Sequence, residues 1–189
     1  MTSTIDGKQV TKTVEIDSTT TTLIKDLIAG KPPSSTKNEQ DTLYDKKGRL
    51  DAVLLADHFF GAVIKKFYYN DSNQLIRIVG FDEKGNVAPF HEYLAIREID
   101  YDEKGRVIEK RALDENRQYV KPSAYPPVMQ IKYDDQGNEK EVIYLNSDRE
   151  LHEGFTRTEY IYDESNTLIE KINYNGQGEI IERKTVPNN

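Results

Sequence analysis

The chain has 189 residues, enough to bury one core, with a mean hydropathy of -0.75 and a net charge of -7 from 33 acidic and 26 basic side chains. That charge argues against a nucleic-acid backbone or an anionic membrane as partner. The absence of cysteine removes disulfides, thiolate nucleophiles and sulfur-bound metals together.

The first segment, "MTSTIDGKQVTKTVEID", has neither a basic n-region nor an apolar h-region. As written the chain reads as cytoplasmic, or as secreted if a signal segment has been removed. Within it "KQVTKTVEID" alternates like a strand. "DSTTTTLIKDLIAGKPP" has the pattern of a short capped helix that stops at Gly30 before Pro32, and "KPPSSTKNEQ" reads as a linker. Residues 1–40 are therefore expected to cap a repeat domain over residues 41–186.

That domain is marked by five Tyr-Asx pairs: Tyr44-Asp45, Tyr69-Asn70, Tyr101-Asp102, Tyr133-Asp134 and Tyr162-Asp163. Three residues after each Asx stand Gly48, Asn73, Gly105, Gly137 and Asn166, the two residue types that most readily take positive φ. An Asx that hydrogen-bonds back to the turn, followed by a left-handed residue, is the chemistry of a type I turn with a G1 bulge. A second turn follows at an offset of 12 in four copies: Phe81-Asp82, Leu113-Asp114, Leu145-Asn146 and Tyr174-Asn175. Gly85 and Gly178 keep the fourth position, whereas Asn116 and Asp148 stand one residue early and predict a turn shifted by one. In the first copy Ala56-Asp57 takes that offset, with Gly61 one residue late. From Tyr69 the major turns recur after 32, 32 and 29 residues, the spacing of stacked supersecondary units.

Turns at alternating ends predict an all-β fold: an antiparallel meander of about ten strands in a rolled or barrel-like sheet. Counting in twos from each major-turn tyrosine, positions -2, 0, +6, +10 and +12 (Phe67, Tyr69, Leu75, Val79 and Phe81 in one copy) form a mainly apolar face. Position +8 places Arg77, Glu109, Glu141 and Glu170 on that same face, with the opposite face partly wet. The return from each minor turn carries 8, 8 and 5 surplus residues, assigned to "VAPFHEYL", "VKPSAYPP" and "HEGFT" at the minor-turn edge. Pro89, Pro122, Pro126 and Pro127 fit there, since proline cannot donate to a central ladder.

The "YD-x-x-G-R-[LV]" cores at 44–50 and 101–107 resemble the YD repeat of the RHS family, over residues 42 to about 182. The resemblance implies a β-strip of stacked hairpins. In that family many such repeats coil into a shell around a toxin segment, or build large adhesive surface proteins. Here the period is longer and the repeats number five, too few to enclose a cargo. The motif is structural, so the resemblance implies no catalytic residue.

The residues themselves offer little chemistry. The turn acids lack the alternating ligands and terminal bidentate Glu of a calcium loop. His91-Glu92 and His152-Glu153 lack the second histidine of a zinc helix. Glu109, Glu141 and Glu170 could line up as a carboxylate row, but pairing with Arg77 and Arg111 explains a periodic row better. The expectation is a non-enzymatic protein without cofactor or metal, binding another protein and not nucleic acid or membrane. Its contact residues would be Phe90, His91, Tyr93, Tyr119, Tyr125 and Phe155 on the excursions. An immunity-like partner or inhibitor of a toxin is the specific version, and a carbohydrate-binding module or a fragment of a surface adhesin the alternative.

Overall fold

The computed structural model describes residues 3–5, 8–10, 42–55, 59–120, 126–152 and 155–187. The expected N-terminal helix, the linker and the Ala56-Asp57 turn lie outside these residues. β1 (Ser3–Ile5) and β2 (Lys8–Val10) pair as a separate two-stranded sheet. The other eleven strands form one sheet: β3 (Thr42–Tyr44), β4 (Leu50–Leu54), β5 (Ile64–Tyr69), β6 (Leu75–Phe81), β7 (Ile96–Tyr101), β8 (Val107–Leu113), β9 (Val128–Tyr133), β10 (Glu139–Leu145), β11 (Phe155–Tyr162), β12 (Leu168–Asn175) and β13 (Ile180–Thr185). Every strand pairs antiparallel with its sequence neighbours, and the sheet runs from β3 to β13 without closing. The antiparallel meander is as expected, in its open form.

Among the described residues nine turns of one design make this possible. In the turn at Asp102, its carbonyl accepts from Gly105 N–H at 3.0 Å and its N–H donates to the Arg106 carbonyl at 2.9 Å. Its Oδ1 accepts from the N–H groups of Lys104 and Arg106 at 3.0 and 2.9 Å. Seven side-chain and backbone groups are thereby satisfied locally, so the turn needs no tertiary partner for its hydrogen bonds. Burial pushes the Asp45 and Asp82 carboxyls up, but the N–H groups they accept outweigh it and hold them below the usual carboxylate range.

The minor turns repeat the same geometry without the expected shift. Arg117 and Arg149 occupy the fourth position at φ of 63° and 65°, beside Gly85 at 83° and Gly178 at 79°. A left-handed arginine costs about 1–2 kcal/mol relative to glycine. Here each arginine gains a carboxylate on the strands beneath: Arg117 donates to Glu98 at 2.8 Å and Arg149 to Glu109 at 2.6 Å. Tertiary ion pairs therefore keep a turn whose local sequence would move it.

The tyrosine of each repeat ties it to the one before. Tyr69, Tyr101, Tyr133 and Tyr162 donate their hydroxyls to the carbonyls of Leu50, Leu75, Val107 and Glu139 at 2.8, 2.8, 2.9 and 3.1 Å. Those acceptors are the first residues of the strands following the previous major turns. Burial raises all four phenol pKa values. The arginine of the "GR" step completes the joint: Arg49 Nε bonds Asp45 Oδ2 at 2.7 Å while its guanidinium lies 4.4 Å from the Tyr69 ring centre. Arg106 does the same with Asp102 at 2.8 Å and Tyr133 at 4.3 Å.

Counting in twos fails at these turns. Each major turn shifts the register by one, as where Tyr68 pairs Arg77 but Tyr69 pairs Leu75. The bulge inverts parity, so Phe67 faces with Ile78, and Ile99 with Lys110. Position -2 thus lies opposite to +8 and +10, correcting the sequence count. On the front face Ile64, Val79, Phe81, Ile96 and Leu113 make the main core, with Val87 and Tyr119 from the minor hairpins packed on it. The back face buries Ile99, Ile131, Val142 and Thr158, more than the partly wet face expected.

The surplus residues of "VAPFHEYL" gather at the minor-turn edge, while residues 121–125 and 153–154 of the other two excursions lie outside the described residues. Val87 bridges Phe81 directly after its turn, and residues 88–95 then run over the back face before β7. Ala88 N–H donates to the Gly80 carbonyl at 3.0 Å, so the excursion lies on β6 itself. A Cβ at Gly80 would stand 2.3 Å from the Ala88 carbonyl oxygen. Gly80→Ala is expected to destabilise the chain by about 1–3 kcal/mol through this overlap, and Tyr101→Phe by about 0.5–1.5 kcal/mol through one lost hydrogen bond. Urea unfolding of the two variants measures both; equal stability of Gly80→Ala and the parent would contradict the close approach.

Candidate functional site

Two groups of side chains are candidates: the aromatic residues of the minor-turn edge and the charged row on the front face.

At the edge, the short loop after β6 carries His91 and Tyr93, closed by a bridge between His91 and Leu94. Leu94 N–H donates to the His91 carbonyl at 2.7 Å, which throws Tyr93 outward at a φ of 54°. Tyr93 is 60% exposed. The His91 ring stacks on Phe60, with centres 5.5 Å apart, and Phe60 meets Phe59 edge-on at 5.0 Å. Phe59 is 87% exposed. Three aromatic rings from two consecutive excursions thus meet at one place, and Tyr93 stands exposed two residues on from His91.

The remaining expected contact residues divide. Phe90 is half-buried against Leu94, Ala112 and Val120, with Lys65 Nζ 5.4 Å from its ring centre, and so fastens the excursion to the sheet. Tyr119 bridges Leu113 and packs on the main core. Tyr125 lies outside the described residues, as does the side chain of Phe155. Phe59 and Phe60 were absent from the sequence reading. The signal was present in "HFFG", two adjacent aromatics in the first excursion, but that copy lacks a regular minor turn to mark its place.

The charged row runs across the middle of the front face. Glu98 receives Arg77 at 3.1 Å, Arg111 at 3.3 Å and Arg117 at 2.8 Å. Glu109 receives Arg111 at 2.9 Å, Arg149 at 2.6 Å and the Gln130 amide at 2.9 Å. Glu141 pairs with Lys132 and Arg157, and Glu170 with Arg183. Each glutamate of the periodic row is therefore an ion-pair acceptor: Glu141 and Glu170 pair with neighbouring strands, and Glu109 with Arg111 of its own strand and Arg149 of a minor turn. Burial pushes the Glu109 carboxyl up, but hydrogen bonds from Arg149, Gln130 and Arg111 outweigh it and lower the pKa to about 2. Glu98 is lowered in the same way, its burial overcome by Arg77, Arg117 and Arg111. Carboxylates so tightly held are poor proton donors at neutral pH.

His91 and His152 do not meet, and Glu153 lies outside the described residues. His91 follows β6 and His152 follows β10, strands four positions apart in the sheet, roughly 19 Å at the usual strand spacing. Among the described residues no group of three or more His, Cys, Asp or Glu side chains could hold a metal ion.

No family model matches the chain, and no curated protein matches it. Among solved structures, the crystal structure of TcdB2-TccC3-TEV superposes with a TM-score of 0.51 at 16% identity over 76% of this chain. The crystal structure of TcdB2-TccC3-Cdc42 matches 70% of this chain at 21% identity with a TM-score of 0.43. The chain spans only 7% and 6% of the lengths of those two chains. The first likeness is one of fold, an RHS-like β-repeat sheet.

A carboxylate lowered from 4.5 to about 2 contributes stability that is full above pH 4.5 and lost as the pH falls through 2. Glu109→Gln is expected to cost about 2–4 kcal/mol at pH 7, because Arg111 and Arg149 lose a buried countercharge. The difference from the parent should narrow between pH 4.5 and 2. Urea midpoints across that range check it, and a cost independent of pH would show that the charge of Glu109 is irrelevant.

Proposed function

We propose that this chain is a non-catalytic β-repeat module that binds another protein through its minor-turn edge. The observation that carries the reading is the group of contacting rings Phe59, Phe60 and His91, with the exposed Tyr93 two residues on from His91. Contiguous exposed aromatic surface on a hydrophilic chain marks an interaction site, and aromatic anchors dominate the energy of protein interfaces. The edge is firm as well as exposed, since Phe90 and the Ala88–Gly80 hydrogen bond fasten the excursion to β6. A fastened loop loses little conformational entropy on binding.

The charged row supports the non-enzymatic half of the proposal, because its acids and bases are engaged in pairing strands. The finer reading is an immunity-like partner or inhibitor of a toxin. It is supported by acidic charge and YD-type repeats, and gene neighbourhood is its direct test.

Affinity capture followed by titration of the purified captured protein tests the edge. The triple variant F59A/F60A/Y93A should weaken Kd at least tenfold while keeping the parent's melting temperature. An unchanged Kd would remove this surface. Glycan binding lost in the same variant would replace the protein partner by a carbohydrate.

A further inference from the structure

The two faces of the sheet treat their cations differently. On the front, Arg77, Arg111, Arg157 and Arg183 each have a carboxylate. On the back, Arg97 of β7 and Lys110 of β8 have no ion-pair partner among the described residues, although both are half-buried. They flank a cleft of about 220 Å³ whose other walls include Ala112, Pro127, Met129 and Tyr144. The register explains the assembly: Arg97 pairs Ala112, Lys110 pairs Met129, and Met129 pairs Tyr144, so these side chains share the back face. Among the described residues none that lines the cleft is acidic.

Half-burying a cation without a countercharge forfeits hydration with nothing in return. A chain with net charge -7 has carboxylates to spare, and on the front face it uses them. The cleft is also smaller than the roughly 300 Å³ at which drug-sized ligand pockets begin. It suits one side chain. Two cations at the rim of an apolar floor formed by Ala112 and Met129 select a carboxylate on a short aliphatic stem.

We infer that this cleft is a second contact point of the proposed protein-binding module, receiving a glutamate side chain flanked by apolar residues from the partner. The inference rests on the protein-binding reading but uses different residues from the aromatic edge. Arg97 and Lys110 would hold the carboxylate by charge-assisted hydrogen bonds, while Met129 and Tyr144 cover the stem and its apolar neighbours. The opposite sign of the site and of the whole chain would also give selectivity, since an acidic segment must reach this cleft to be bound.

The probes are the blocked peptides Ac-Leu-Glu-Leu-NH2 and Ac-Leu-Gln-Leu-NH2, with butyrate as a free acid, titrated against the amide NMR spectrum of the full chain. The glutamate peptide should shift the amides of Arg97, Lys110, Ala112 and Met129 saturably, and the glutamine peptide should bind at least tenfold more weakly. R97Q/K110Q should abolish the shifts, while R97K/K110R, which keeps both charges, should retain them and so controls for folding. F59A/F60A/Y93A should bind the peptide as the parent does, which separates this site from the aromatic edge. Equal binding of both peptides, no saturable shift at the cleft, or binding of butyrate alone would overturn the inference.

Discussion

The structure depends on a turn that is complete in itself. An Asx side chain accepts two backbone N–H groups, and a left-handed residue three positions on reverses the chain, so each hairpin is specified within five residues. Short hairpins alone are marginally stable. The repeat tyrosine supplies the missing link by crossing to the carbonyl of the preceding repeat, at four successive joints. The motif thus joins units as well as turning them, and its arginine serves both tasks by holding the aspartate and lying over the next tyrosine.

From this follows an asymmetric sheet. At the major-turn edge the chain is regular and hydrogen-bonded throughout. At the minor-turn edge the excursion after β6 folds back over the sheet and supplies Leu94, while the residues just after the minor turns, such as Val87 and Val120, also join the core. An open sheet with few aliphatic residues needs that cover. The charged row then fills the mid-face, where neighbouring strands place acids opposite bases and the minor-turn arginines close from above.

Much of the candidate site could be read before folding. The excursions, their edge and the outward Tyr93 and His91 follow from turn spacing and proline placement. Phe90 and Tyr119 could not be told from them, because an aromatic residue on a loop can anchor that loop or face water, and only the path of residues 88–95 over Gly80 and the Leu113–Tyr119 bridge decide. Phe59 and Phe60 escaped because the sequence of the first repeat departs from the minor-turn pattern, with Gly61 one residue late. The cleft between Arg97 and Lys110 depends on registers across three strand pairs, which no local pattern encodes.

The sequence alone determined the turns, their number, the antiparallel order and the edge that carries the excursions. These are local properties, written in residues whose side chains bond their own backbone. Tertiary structure decided which side chains share a face, because each bulge moves the register by one and inverts the alternation on which counting relies. It also decided the left-handed Arg117 and Arg149, whose turns look displaced in sequence and are held in place by Glu98 and Glu109 from strands 19 and 40 residues away. Ion pairs at that separation have no sequence period, so they become visible only when the strands are side by side.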